Sequence, residues 1–74
     1  MKTKRLQPND LTDDGTYRIE FFGELPEAMV EEIADCGIVM WFGEMTSKLG
    51  IRSTRTVLTI AKRFGIGNFD IREA

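Results

Sequence analysis

The stretch Gly65-Ile66-Gly67-Asn68-Phe69-Asp70-Ile71-Arg72 decides how this chain folds, because polar and apolar residues alternate from Asn68 to Arg72 behind a glycine-rich stop. A period of two places Phe69 and Ile71 on one face, which is the pattern of a half-buried strand. A helix over the same residues would remove that strand and break the architecture. Working back from it, Gly65-Ile66-Gly67 ends a helix that Ser53 would cap and that carries Val57, Ile60, Ala61 and Phe64 on one face. Before that helix, Ile38-Val39-Met40-Trp41-Phe42 is a strand, Gly43-Glu44 suits a two-residue hairpin turn, and Met45 to Leu49 is the return strand. An earlier helix starts at Pro26, where a missing N–H costs nothing, and runs to about Asp35. Its inner stripe is Leu25, Met29, Ile33 and Cys36, and Gly37 stops it. Thr16 to Phe22 alternates again, with Tyr17, Ile19 and Phe21 on one face and Arg18, Glu20 and Phe22 on the other.

The order β-α-β-β-α-β predicts an α+β two-layer sandwich of the ferredoxin-like kind, a four-stranded antiparallel sheet with two helices on one face. Without a strand at Met45 to Leu49, a three-stranded βαβαβ unit would remain. Residues 15–74 form the single small domain. Residues 1–14, which include Pro8, Asn9, Asp10 and the turn pair Asp14-Gly15, are expected to be a flexible N-terminal tail.

Seventy-four residues leave room for one domain. A chain of this size buries only about 60% of its unfolded surface, so a partner or a second copy would help it. No His and one Cys remove the usual base of a nucleophilic triad and most soft metal ligands, so the expectation is a non-enzyme with no cofactor and no metal. Asp10, Thr12 and Asp14 imitate the start of a calcium loop, but Phe21 stands where the closing Glu is needed. Gly65-Ile66-Gly67 lacks the third glycine and the preceding strand of a dinucleotide fingerprint. The longest apolar run, from Gly37 to Gly43, falls far short of a membrane span, and Met1-Lys2-Thr3-Lys4-Arg5 leads into no apolar segment. With an unpaired Cys36, a soluble cytoplasmic protein is the expectation.

Charge is unevenly spread. Residues 6–45 set ten carboxylates against Arg18 alone, whereas residues 46–74 set six cations against Asp70 and Glu73. Glu27, Glu31 and Asp35 form an acidic ridge on the first helix, and Arg52, Arg55, Lys62 and Arg63 a basic side on the second. The two faces can simply attract each other, or one can steer a partner of opposite charge.

Two surfaces are candidates for function. The sheet face without helices would carry Phe22, Val39 and Trp41 in a polar surround, the composition of a protein-docking or homodimer surface, with Glu27, Glu31 and Asp35 steering a basic partner. Tyr17, Ile19, Phe21, Ile38, Met40, Phe42, Phe69 and Ile71 would face inward. A small regulator or inhibitor fits the size and charge, a phage-encoded one acting on a host or defence complex included. The alternative rests on Leu58 to Ile71, which resembles a helix-turn-helix motif through Ala61, Gly65, Ile66 and Ile71. That resemblance implies a DNA-binding regulator with the motif at 57–74 and Arg52, Arg55, Lys62 and Arg63 as its phosphate-facing residues.

Overall fold

The computed structural model describes residues 5–74 and has two helices against one antiparallel sheet of five strands. The strands are β1 (Thr16–Phe21), β2 (Met40–Trp41), β3 (Met45–Thr46), β4 (Leu49–Gly50) and β5 (Phe69–Glu73). The helices are α1 (Glu27–Asp35), between β1 and β2, and α2 (Ile51–Arg63), between β4 and β5. The decisive segment is a strand: β5 pairs with β1 over its whole length, from Tyr17↔Glu73 to Phe21↔Phe69. The helix-turn-helix reading is therefore corrected, since no second helix follows the Gly65 turn. The alternation that places Ile71 against Ile19 buries both, which a helix over these residues would not do.

β1 is the centre of the sheet. Its odd residues Tyr17, Ile19 and Phe21 point into a core completed by Met29 and Ile33 of α1, by Val57, Ile60 and Ala61 of α2, and by Ile38, Leu49 and Ile71. Phe21 and Phe69 meet edge to face at 5.5 Å. Both helices lie on that one side, so the opposite face of the sheet is left open.

Four strands were expected and five are found, because the return strand is broken. A three-residue step on β1, from Glu20 to Tyr17, faces a four-residue step from Met45 to Leu49. The extra residue is a bulge, and the ladder bond it interrupts is replaced by a side chain: the Ile19 N–H donates to Thr46 Oγ1 at 3.0 Å, with Thr46 fully buried.

Other boundaries shift for local reasons. Pro26 is the N-cap of α1 rather than its first residue, its carbonyl accepting from Met29 and Val30. α1 ends at Asp35 as expected, but Cys36, placed on its inner stripe, is the exposed C-cap. The N-cap of α2 is Gly50, three residues before Ser53, so the helix begins at Ile51, with Thr54 Oγ1 donating back to the Gly50 carbonyl at 2.8 Å.

Residues 1–4 of the expected tail lie outside the described residues. Where the sequence suggests tail and turn over 5–14, the chain lies against the domain. The Leu6 N–H donates to the Ile71 carbonyl at 2.8 Å, Pro8–Asp10 is one 3-10 turn, and the Thr12 N–H donates to the Tyr17 hydroxyl at 2.7 Å. Leu6 and Leu11 pack against the core.

Candidate protein-interaction surface

The open face is read row by row from the sheet register. Trp41, Met45, Glu20 and Asp70 are consecutive cross-strand partners, and Arg18 faces Arg72 in the next row. The face is thus charged toward β5 and apolar toward β2. On the charged side Asp70 is held by Arg5 Nε at 3.1 Å and by Arg72 at 3.4 Å. On the apolar side Arg18, Trp41, Phe42, Met45 and Thr46 line a shallow cleft of about 230 Å³.

The large exposed apolar residues gather at this apolar side. Phe22 is 43% exposed, Val39 56%, Trp41 53% and Phe42 94%. Val39 and Trp41 share one parity on the β2 segment. Phe22 follows the end of β1, which is tied to the β2–β3 connection by the Phe21 N–H donating to the Glu44 carbonyl at 2.7 Å. Glu24 and Glu44, both exposed, flank the group in sequence.

Phe42 is the residue the sequence misplaced. Expected inward, it stands at the tip of the hairpin, because the turn is Phe42-Gly43 and not Gly43-Glu44. The Glu44 N–H donates to the Trp41 carbonyl at 3.0 Å, with φ of 55° at Phe42 and 72° at Gly43. Positive φ at both central residues is the signature of a type I′ turn, which matches the twist of the flanking strands. Gly43 accepts that conformation freely, whereas a residue with a Cβ loses about 1–2 kcal/mol there. A bulky aromatic in this region is rare, and such strain is a pointer to function. The legible signal was Gly43 itself, which fits the second position of one turn type as readily as the first position of another.

The acidic ridge lies on the first helix, where its spacing places it. Glu27, Glu31 and Asp35 are exposed on α1, in the helical layer, and do not join the aromatic group on the open face. Arg52, Arg55 and Lys62 are exposed along α2, while Arg63 pairs with Glu32 of α1 and lies 5.9 Å from the Phe64 ring. Helix-to-helix attraction therefore accounts for part of the charge asymmetry. A groove between the helices is lined by Glu32, Cys36, Arg55, Thr56, Thr59 and Arg63. Its threonine hydroxyls are turned inward to their own helix: Thr56 Oγ1 donates to the Arg52 carbonyl and Thr59 Oγ1 to that of Arg55, each at 2.9 Å.

Among the described residues no three His, Cys, Asp or Glu side chains are grouped to hold a metal ion, and no helix is long and apolar enough to cross a membrane. Comparison with protein-family models, with curated proteins and with solved structures gives no match for this chain.

Proposed function

We propose that this chain is a small, non-enzymatic protein-interaction domain, a regulator or inhibitor, that docks a protein through the apolar end of its open sheet face. The observation that carries this reading is Phe42, an almost fully exposed aromatic held at positive φ beside exposed Trp41. A domain this small gains nothing in stability from a strained, solvated Phe, so a gain made in a complex is the physical reason to keep it. Phe22 and Val39 widen the patch. Glu24 and Glu44 beside it favour a partner that presents apolar side chains with Lys or Arg around them.

For the scaffold we propose the ferredoxin-like arrangement. Counting β3 and β4 as one bulged strand supports it, since the spatial order becomes β2, β3 with β4, β1, β5 and the chain order β-α-β-β-α-β. An exposed, unpaired Cys36 supports a reducing compartment such as the cytoplasm. Nucleic-acid binding ranks second: Arg52, Arg55 and Lys62 are exposed, but the strand β5 stands where a recognition helix would be.

The test is site-specific photo-crosslinking in cells, with benzoylphenylalanine at position 42 and, as a control on the helical layer, at position 59. The expected result is one discrete protein adduct from position 42 that position 59 does not give. Titration of the purified adduct protein should then be weakened tenfold or more by Phe42→Asn. Identical adducts from both positions, or unchanged affinity for Phe42→Asn and Trp41→Ala, would overturn the reading.

A further inference from the structure

Beyond a protein partner for the open face, the geometry of β2 points to a second copy of this chain. We infer that two copies pair antiparallel through the outer edges of β2, joining their sheets across a two-fold axis. This rests on the apolar end of the sheet being an interaction surface; it shares Val39 and Trp41 with that surface and adds the backbone edge of β2, leaving Phe42 at the hairpin tip to the other partner.

The hydrogen bonds to β3 identify which groups are on offer. The Val39 carbonyl accepts from the Ser47 N–H at 2.8 Å, and the Trp41 carbonyl accepts from Glu44. Backbone groups alternate from side to side along a strand, so the N–H and C=O of Met40 face away from β3 toward the outer edge. An antiparallel pair centred on Met40 would exchange both of its bonds with Met40 of the second copy. That register also satisfies side-chain parity, since it sets Val39 of one copy opposite Trp41 of the other on the open face, a β-branched residue against an aromatic. Pairing shifted by one residue would set Trp41 against the inward Met40, which the pleat forbids.

Charge selects the second copy as occupant. At a two-fold interface each residue meets its own surroundings, so any charge near the axis meets a like charge. Ile38 to Phe42 carries no charge at all, whereas the ridge Glu27, Glu31 and Asp35 would repel its own image. The edge also lacks the lysine, proline or bulge that keeps free strand edges apart.

The experiment is sedimentation velocity on the purified full chain from micromolar to millimolar concentration, for the parent and for Val39→Lys. Val39 is exposed, so the variant keeps the fold, which its amide chemical shifts verify. The parent should form a dimer, and Val39→Lys should weaken it tenfold or more by bringing two ammonium groups to the axis. In a mixture of labelled and unlabelled copies, a filtered NOE should link Val39 of one copy with Trp41 of the other. A monomer throughout the range overturns the inference, and so does a dimer that Val39→Lys leaves intact without that NOE. Crosslinking from position 42 to a distinct protein would survive either failure, so the two proposals fall separately.

Discussion

Strands β5 and β2 both lie at an edge of the same sheet, yet they are finished in opposite ways. Along β5 the edge is occupied: the Leu6 N–H takes the Ile71 carbonyl, Arg5 reaches Asp70, and the strand carries Asp70, Arg72 and Glu73. Along β2 the ladder lasts two residues, the flanking residues are uncharged, and Val39, Trp41 and Phe42 stand in solvent. Free edges invite pairing with other chains, and proteins suppress this with charge and cover. This difference between a covered edge and an apolar, uncovered one is the basis of the contacts proposed for β2.

The comparison makes stability and binding separable. The largest effect belongs to the closed side. Ile71→Ala removes a buried side chain packed against Ile19, and should cost about 2–5 kcal/mol in urea denaturation. Trp41→Ala on the open side should cost under about 1 kcal/mol in the same assay, as befits a surface change. Comparable losses at both positions would erase the distinction between the edges.

Thr46 tests the bulge that carries β2 on its outer side. Thr46→Val keeps the shape and removes the hydroxyl oxygen that accepts from the Ile19 N–H, leaving a buried donor unpaired at about 1–3 kcal/mol. If Thr46→Val is neutral in denaturation, the hydroxyl does not replace the ladder bond.

How much of this was readable from the sequence follows the same division. The closed side was legible because its residues alternate: Tyr17, Ile19 and Phe21 on β1 and Ile71 on β5 are buried as the period of two demands. The buried faces of both helices were legible from Met29, Ile33, Val57, Ile60 and Ala61. The open side was legible for Phe22, Val39 and Trp41 but not for Phe42, since one glycine serves two turn types and only the Glu44 to Trp41 bond with its φ values distinguishes them. The bulge left no trace in hydropathy, because a threonine hydroxyl standing in for a backbone carbonyl looks like any polar residue in a strand. Leu6 and Leu11 were hidden as isolated apolar residues in a polar segment, where periodicity has nothing to count.

Phe42 sharpens the contrast by moving stability the other way. Phe42→Asn places the preferred Asn-Gly pair in the type I′ turn, and should raise stability by about 1 kcal/mol through relief of the left-handed backbone. Calorimetry reads this as a higher Tm, while binding of the crosslinked partner falls. A lower Tm would show that the Phe ring stabilises the hairpin itself.

The smallest effect is expected on the helical layer, away from both edges. Arg63→Ala breaks the pair with Glu32, two partly exposed side chains, and should cost under about 1 kcal/mol at low salt and nothing measurable at high salt. A larger, salt-independent loss would mean that the α1–α2 contact depends on this pair.

The most direct test of the two-edge account is amide hydrogen exchange by NMR, comparing Leu6 with Met40 at low and high protein concentration. Leu6, bonded to Ile71 at 2.8 Å, should be protected at both concentrations, whereas Met40 should exchange freely when dilute and become protected as the concentration rises. A Met40 amide that stays unprotected at high concentration, or a Leu6 amide that exchanges freely at both, would contradict the account.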